Sequence, residues 1–423
     1  MVLARQNPVA HRVLFISPHG SYRAAPFVAA AYALGLQPLI ASWGEHSIVS
    51  DFAQGLGLPP QDRDAALGLI QDDARRRGPF VAVIGTDDST TELAAMACAH
   101  LGLPHNPIDG VHVARRKDLA RQRLQQAGLR IPRFWIIDLK QPLSNQVADV
   151  TYPCVIKPVD LSASRGVMRV DEPEALCPAI SRVQALLQTE SDTVQRDRIL
   201  VEAYIPGEEI AFEGMLWDGD LQTLAVFDKP DPLEGPYFEE SYYITPSRLG
   251  SVQLQAVVEA VSQACAAYGL RQGPIHAECR MNDQGVWIVE VAARTLGGLC
   301  ARLLKWGTGK SLEELVLQHA LGRRKDDVQT QGGAGVLMIP IPAAGILRRV
   351  EGIGDAQAIA YIDEVVIQQR DGYELVPLPE GGSYLGFIFA SGPGPVEVEA
   401  ALRSAHQALN IVIAPLWRAV VVD

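Results

Sequence analysis

The segment formed by residues 275–298 constrains the fold of this chain more than any other part of the sequence. Apolar and β-branched residues flank the polar stretch 282–285, whose composition is typical of a hairpin turn. The segment therefore predicts two neighbouring strands with Glu278 and Glu290 side by side.

Two carboxylates next to each other in an apolar sheet repel and are poorly solvated unless a cation or protonation relieves them. Magnesium prefers one or two carboxylates together with phosphate oxygens and water. Glu278 and Glu290 are therefore candidate magnesium ligands, the alternative being two solvated glutamates at a strand edge. Arg294 follows Glu290 by four residues and is a candidate clamp for a phosphate or a developing oxyanion.

A second segment, residues 152–170, has the pattern strand, loop, strand. Its middle part, 160–166, is small and polar, and a loop with exposed backbone N–H groups can wrap a polyphosphate. It is not the Gly-rich loop of Rossmann or P-loop proteins, since neither GxGxxG nor GxxxxGK[ST] occurs there. Lys157 ends the first strand, where burial without an anionic partner is costly.

A third segment, residues 199–216, consists of two apolar strands joined at Pro206 and Gly207. Glu202 ends the first strand and Glu209 follows the turn. Such a link offers backbone groups to an adenine edge and a carboxylate to ribose hydroxyls, although by itself it is also an ordinary hairpin.

In their order and spacing, the three segments resemble the ATP-grasp superfamily. Within it, the chain resembles the L-amino acid ligase branch, which includes bacilysin-synthetase-like dipeptide ligases and their carnosine-synthase-like relatives. The resemblance covers essentially the whole chain. It implies an ATP-grasp fold of α/β and α+β type, with an N-terminal parallel-sheet, Rossmann-like lobe and a strand-rich C-terminal domain.

The resemblance also implies roles in nucleotide binding. Lys117 and Lys157 correspond to the lysines that reach the α- and β-phosphates. Ser162, Ser164 and Gly166 correspond to the phosphate-covering loop. The adenine-binding hinge corresponds to Glu202, Ala203, Tyr204 and Ile205, and the ribose-binding acid corresponds to Glu209. The cofactors implied are ATP and Mg²⁺, as one or two ions for which Mn²⁺ can substitute.

In the same way, Glu278 and Glu290 correspond to the magnesium ligands and Arg294 to the arginine that stabilises the tetrahedral intermediate. The chain departs from the superfamily at one metal position, because many ATP-grasp enzymes have Asn where Ala292 stands, two residues after the second metal glutamate. Gly297 and Gly298, just beyond Arg294, leave room for a bulky substrate side chain or serve only the backbone of a turn.

The segment 221–250 is rich in Pro, Tyr, Glu and Asp and is predicted to be an irregular substrate loop. Lys229 is a candidate contact of the γ-phosphate and Glu240 of a substrate ammonium, and both are equally compatible with a solvated loop. Related ligases have an acid in this stretch and a histidine three residues later, where this chain has Tyr243.

The organisation of the chain predicts four units: an N-terminal α/β domain (1–110), a small lobe (111–200), a large lobe with the metal site (201–330) and a ligase-type C-terminal domain (331–423). Strand and helix alternate in the first unit, which indicates a small parallel sheet. Ligands bind at the carboxyl ends of such strands, so residues 17–22 and 86–89 either contact substrate or form turns and helix caps.

Composition excludes several classes of protein. A chain of 423 residues with 48% hydrophobic residues is expected to build several cores. Its net charge of −12 argues against nucleic-acid binding. Scattered cysteines without a CxxC pair indicate reduced core thiols and a cytoplasmic protein, and no run approaches the ~20 apolar residues that a membrane helix needs. A C2 homodimer is the default assembly.

The resemblance, with the groups that it assembles, implies an ATP-dependent carboxylate–amine ligase. It would join an amino acid or other small carboxylate to an amine through an acyl phosphate, releasing ADP and phosphate, with a dipeptide or amino acid conjugate as product. The alternatives are another ATP-grasp enzyme, either a biotin-carboxylase-type enzyme or a nucleotide-pathway synthetase, and a non-catalytic ATP-binding subunit.

Overall fold

The computed structural model of the protein describes residues 11–19, 21–43, 54–60, 62–189, 195–324 and 332–416, without the side chains of 306–308. Gly20, within the predicted turn at 17–22, and the predicted boundary at 330/331 lie outside these residues. The described residues form four sheets.

The predicted N-terminal parallel sheet is present. Its strands are β1 (Arg12–Ile16), β2 (Gln37–Trp43), β3 (Gln54–Leu58) and β4 (Phe80–Gly85). They pair in parallel in the order β3-β2-β1-β4, and β1 is buried along its whole length. The helices of this unit are α1 (Ala24–Ala33), α2 (Arg63–Arg77) and α3 (Asp88–Leu101). Parallel strands are usually covered on both faces, so short apolar runs between helical segments are typical of this sheet.

The small lobe is a four-stranded antiparallel sheet. Two helices precede it, α4 (Ile108–Arg115) and α5 (Lys117–Gln126). The strands are β5 (Phe134–Asp138), β6 (Cys154–Pro158), β7 (Met168–Val170) and β8 (Arg198–Ala203), with α6 (Pro173–Thr189) between the last two. They pair in the order β5-β8-β6-β7. The predicted phosphate loop therefore joins two neighbouring strands, β6 and β7.

An eight-stranded antiparallel sheet carries the predicted metal hairpin. Its strands are β9 (Glu208–Trp217), β10 (Asp220–Asp228), β11 (Tyr242–Thr245), β12 (Gln272–Asn282), β13 (Gly285–Ala292), β14 (Gly333–Ile339), β16 (Ile362–Ile367) and β18 (Gly386–Gly392). They lie in the order β13-β12-β9-β10-β11-β14-β18-β16. Because β11 pairs with β14, one sheet runs from the large lobe into the C-terminal part.

The remaining elements surround this sheet. A smaller sheet, in the order β17-β15-β19, consists of β15 (Gly345–Glu351), β17 (Glu374–Leu375) and β19 (Asn410–Ala414). The helices are α7 (Ser251–Tyr268), α8 (Leu303–Thr308), α9 (Leu312–Ala320), α10 (Ile353–Gln357) and α11 (Pro395–Ala408). None of the described helices is both long and apolar enough to span a membrane.

The prediction of an irregular loop at 221–250 is wrong for much of that segment. Residues 221–228 belong to β10 and 242–245 to β11, and both strands are largely buried in the large sheet. The cross-strand pairing of apolar residues outweighs the local excess of Pro and charge. All six cysteines are free thiols, as predicted, but Cys177 is exposed instead of lying in a core.

One apolar core joins the N-terminal unit to the large sheet. Phe15 and Phe27 of the N-terminal unit belong to the same buried cluster as Phe227 and Leu296 of the large lobe and Phe389 of the C-terminal part. This shared core brings the carboxyl ends of the N-terminal strands next to the residues that follow the metal hairpin.

Candidate active site

A cavity of about 1210 Å³ opens where the four predicted units meet. All of the predicted nucleotide, metal and catalytic residues line it except Gly166 and Lys229. Lys229 is nonetheless close, since it is buried behind acids that do line the cavity.

The predicted hairpin is confirmed. Glu278 of β12 is directly opposite Glu290 of β13, and the register shifts between Glu278 and Cys279. Such an irregularity re-aims side chains on an otherwise alternating strand. The two carboxylates bind different lysines, Glu278 binding Lys229 and Glu290 binding Lys117.

Lys229 joins three acids that were predicted to have different roles. Its Nζ lies 2.6 Å from Glu240, 2.9 Å from Glu209 and 3.2 Å from Glu278. Burial disfavours the charged lysine, but the three glutamates outweigh it and hold the pKa of Lys229 well above its usual value. Burial, together with the negative charge of Glu278, raises the pKa of Glu240 to about 7.

Lys117 connects the hairpin to the phosphate loop. Its Nζ donates to the carbonyl of Leu161 at 2.7 Å and lies 3.3 Å from Glu290. Its backbone N–H donates to Val159 at 2.8 Å. The first residue of α5 is thereby fixed between the small lobe and the predicted metal site.

Lys157 points to the hinge acid. Its Nζ lies 2.8 Å from Glu202, whose other carboxylate oxygen accepts from Arg121. Glu202 is almost fully buried, yet Arg121 and Lys157 outweigh the effect of burial and lower the pKa of Glu202 to about 2. The sequence reasoning missed Arg121, although its position four residues after Lys117 on α5 places both side chains on one helix face.

Arg294 binds an acid of the N-terminal unit. Its Nε donates to Asp88 at 2.9 Å and its Nη1 to the carbonyl of Thr295 at 3.0 Å. Burial disfavours the charged carboxylate, but Arg294 and Arg23 outweigh it and lower the pKa of Asp88. Arg23, which was not predicted, also donates to the carbonyl of Thr295, at 3.1 Å.

For residues 86–89, the helix-cap alternative is confirmed, whereas contact with a substrate stays a prediction. The backbone N–H of Asp87 donates to Thr90 Oγ1 at 3.1 Å at the start of α3, which is a helix-cap role. The next residue, Asp88, holds Arg294 at the cavity wall.

Comparisons with known proteins identify the family of this chain. Residues 150–302 match the ATP-grasp domain, and residues 337–414 match the L-amino acid ligase C-terminal domain 2. The chain is an ATP-grasp protein with an L-amino acid ligase C-terminal domain. Proteins of the ATP-grasp family use ATP and a divalent metal ion.

The crystal structure of the L-amino acid ligase from Bacillus licheniformis matches this ATP-grasp chain with a TM-score of 0.84 and 27% identity, covering 96% of this chain and 100% of that one. Among curated sequences, the alanine–anticapsin ligase of Bacillus subtilis is 24% identical over 59% of this chain and 56% of its own length. Carnosine synthase 1 of Gallus gallus is 27% identical over 77% of this chain and 36% of its own length. The chain spans between 50% and 65% of the length of the first curated relatives that it matches.

The C-terminal part of the chain contacts the predicted phosphate loop of the ATP-grasp domain. The N–H of Gly166 donates to the carbonyl of Pro379 at 2.8 Å. Arg182 of α6 binds both carboxylate oxygens of Glu380, at 2.6 and 2.9 Å. Ala163, in the same loop, has a left-handed backbone with φ of 57°. The L-amino acid ligase C-terminal domain thus touches a loop that lines the cavity.

A third unpredicted arginine, on β12, contacts the hinge of the ATP-grasp domain. Arg280 donates to the carbonyl of Ile205 and to Glu209, both at 2.8 Å, and its guanidinium lies 5.0 Å from the centre of the Tyr204 ring. Its position two residues after Glu278 on β12 is the sequence signal that could have identified it.

The chain departs from the family pattern at Tyr243 and Ala292, and the structure shows what each residue contacts or faces. Tyr243, at the place of the family histidine, donates its hydroxyl to Glu240 at 2.9 Å. Ala292 is opposite His276 in the hairpin. His276 lies 3.8 Å from Glu278 and 3.2 Å from the fully buried Glu213.

Proposed function

We propose that this protein is an ATP-dependent carboxylate–amine ligase that forms an amide through an acyl phosphate and releases ADP and phosphate. The observation that carries the proposal is that Arg294, held by Asp88, lines the same cavity as the cross-strand pair Glu278 and Glu290. The L-amino acid ligase C-terminal domain supplies a further wall of that cavity, including Tyr384.

The nucleotide would lie between the small lobe and the large sheet. Lys117 and Lys157 would release their glutamates to reach phosphate oxygens, while backbone groups of residues 202–205 meet the adenine. Ser162 and Ser164 line the cavity from the loop that would cover the phosphates. Glu209 would accept from ribose hydroxyls while it remains bound to Arg280.

The residues fit a magnesium ion. Glu278 and Glu290 are hard oxygen ligands in register, and each is charge-balanced by a lysine that a divalent cation could replace. Magnesium, or manganese in its place, supplies charge neutralisation at the phosphates when bound. Ala292 has no ligand atom, so the remaining positions would be filled by phosphate oxygens and water.

The chain's own residues explain the proposed chemistry. Arg294 would stabilise the charge that develops on the acyl oxygen as the amine attacks. Glu240, which lines the cavity, would hold a substrate ammonium. Lys229 lies behind Glu240 and would offset the charge of the three glutamates it binds instead of meeting the γ-phosphate. The phosphate loop, held by Pro379, would exclude water from the acyl phosphate.

The substrates are proposed to be amino acids or similarly small carboxylates and amines. One relative with partial coverage is called alanine–anticapsin ligase, a name that gives an amino acid as one of the two compounds joined, and another is called carnosine synthase 1. Similarity to biotin carboxylase and to phosphoribosylglycinamide synthetase, at 14% identity each, concerns the fold alone. The match of residues 337–414 therefore favours the ligase over a carboxylase.

The test is incubation with ATP, Mg²⁺ and a panel of L-amino acid pairs. We expect ADP and phosphate to form with one amide per ATP, detected by mass spectrometry. AMP and pyrophosphate would replace the acyl phosphate route with adenylation, and phosphate release driven by bicarbonate alone would favour the carboxylase class.

A further inference from the structure

Arg115 differs from every other cation at the cavity wall. Within the described residues, each other Lys and Arg that lines the cavity has a hydrogen bond or an ion pair. Arg115 has none, and its Nε is buried without a partner. Leaving a buried charged donor unsatisfied is costly, and such a group in a folded protein calls for a ligand, a water or another explanation.

The position of Arg115 follows from its neighbours along two packed helices. His112, one turn earlier on α4, lies 3.5 Å from Glu92 of α3. Lys117, two residues after Arg115, is close enough to Asp88 to help lower its pKa. Asp88 and Glu92 are one turn apart on α3, and both line the cavity together with Arg115 and Arg294.

The charge of this part of the cavity wall favours an anion. The N-terminal unit, α4 and Arg294 together contribute four arginines and three acids to the wall, namely Arg23, Arg63, Arg115 and Arg294 against Asp87, Asp88 and Glu92. Arg63 is bound to Glu92 at 2.6 Å and Arg294 to Asp88 at 2.9 Å, so the uncompensated charge belongs to Arg115. A local positive excess in a chain of net charge −12 is suited to a ligand with a single negative charge.

The proposed reaction leaves each substrate with one charge. An amino acid that donates its acyl group retains its ammonium, for which Glu240 is suited. An amino acid that attacks with its amine retains its carboxylate. We propose that Arg115 binds the carboxylate of the amine substrate, so that the enzyme selects amines that carry a carboxylate. This inference rests on the proposed function.

The experiment separates acyl phosphate formation from use of the amine substrate. Hydroxylamine is a small amine without a carboxylate. Its nitrogen attacks the acyl carbon, the C–O bond to phosphate breaks, phosphate leaves and the amine proton goes to water. Arg115→Gln should keep the KM for ATP and the rate of hydroxamate formation within about twofold. Its kcat/KM for the best amine substrate of the panel should fall roughly 10- to 100-fold, the scale of one charge-assisted contact.

Two comparisons sharpen the test. The carboxamide of the same amine substrate should react poorly with wild type and lose nothing further in Arg115→Gln, because the carboxylate and the arginine act as one pair. Arg115→Lys should recover part of the loss, since it keeps the charge but not the planar fork. Arg123→Gln, whose arginine pairs with Asp109 on the surface, is the matched control and should behave as wild type.

Unchanged amide formation in Arg115→Gln overturns the inference. So does a parallel loss of hydroxamate formation or of ATP affinity, which would assign Arg115 to the phosphates of ATP. Absence of hydroxamate from the wild-type enzyme with every acyl donor of the panel overturns the proposed function itself, and the inference with it.

Discussion

Glu278 and Glu290 are paired across the β12/β13 hairpin, yet their carboxylates bind lysines from distant parts of the chain. Lys229, from the segment after β10, lies 3.2 Å from Glu278, and Lys117, from the start of α5, lies 3.3 Å from Glu290. Lys117 offsets the charge of Glu290, and Lys229 offsets that of Glu278 together with two further acids. Because both hairpin acids line the cavity, a change in one of them should act on catalysis before it acts on folding.

Glu290→Gln keeps the shape of the side chain but removes the charge proposed to hold magnesium. We expect kcat for ADP release to fall by roughly two orders of magnitude or more, the scale of losing one strong electrostatic stabiliser. The midpoint of thermal unfolding should change little, because the Glu290 side chain is 30% exposed. Asp283→Asn, in the exposed turn of the same hairpin, is the control. A rate within about threefold of wild type would make the hairpin structural.

Arg294→Lys should not be a conservative change. Arg294 donates from Nε to Asp88 and from Nη1 to Thr295 at the same time, and an ammonium cannot reproduce this planar geometry. Amide formation should fall at least about tenfold more than ATP affinity does, measured by steady-state kinetics and nucleotide titration. The exposed Arg348 provides the control Arg348→Lys. Equal loss of both quantities would instead assign Arg294 to nucleotide binding.

The parts of the fold that follow local rules could be predicted from sequence. The hairpin follows from its turn composition, and the N-terminal parallel sheet follows from the alternation of strand and helix. The partners of the site residues could not be predicted. Asp88 is 206 positions from Arg294, and nothing local to either residue indicates their contact, which depends on the core shared by the N-terminal unit and the large sheet.

The sequence also does not show which charged residues are buried and paired and which are solvated. Lys229 and Glu240 lie in a stretch whose composition suggests a solvated loop, but Lys229 is buried among three acids. A single sequence does not show which charges will be withdrawn from water together. For the same reason, the sequence did not identify Arg121 or Arg280, although Arg121 follows Lys117 by four residues and Arg280 follows Glu278 by two.

The ion triad at Glu202 predicts an acid-dependent loss of stability. The pKa of Glu202 is lowered from 4.5 to about 2. The ionised Glu202 therefore contributes fully to stability above pH 4.5, and this contribution is lost as the pH falls through about 2. The shift corresponds to roughly 3 kcal/mol. Glu202→Gln should therefore be strongly destabilised at pH 7, and its difference from wild type in urea unfolding should shrink as pH falls below 4.5. Glu208→Gln, at an exposed position of β9, is the control, and a difference independent of pH would contradict the assignment.

The contact between Arg182 and Glu380 predicts a role in coupling. Both side chains are more than 40% exposed, so the pair contributes little to stability. It nonetheless ties α6 to the segment whose Pro379 accepts from Gly166 in the phosphate loop. Glu380→Gln should raise the ratio of ADP released to amide formed by about twofold to fivefold, an effect below ~1 kcal/mol. Glu364→Gln, which breaks another half-exposed pair with Arg302, should leave this ratio unchanged. An unaltered ratio in Glu380→Gln would show that the loop closes without this pair.

The last prediction concerns the space beside Gly298. A Cβ at Gly298 would lie 3.3 Å from Phe387, 3.4 Å from Cys300 and 3.7 Å from Met338, so the glycine faces an apolar wall that includes the C-terminal part. Its φ is +61°, so any side chain there also strains the backbone. Two hypotheses for Gly298 therefore have a physical basis: it leaves room for a substrate side chain, or the backbone conformation requires a glycine.

Substitutions separate the two. If the space holds a substrate side chain, Gly298→Ala and Gly298→Trp should shrink it in steps. The ratio of kcat/KM for L-alanine to that for L-phenylalanine as acyl donor should then rise, by roughly tenfold in Gly298→Ala. The KM for ATP should not change. Gly269→Ala is the matched control for backbone strain, because Gly269 has a φ of +80°, does not line the cavity, and its Cβ would meet nothing within 4 Å. If the rates with both amino acids fall by the same factor in Gly298→Ala, the glycine serves the backbone and the substrate side chain lies elsewhere in the cavity.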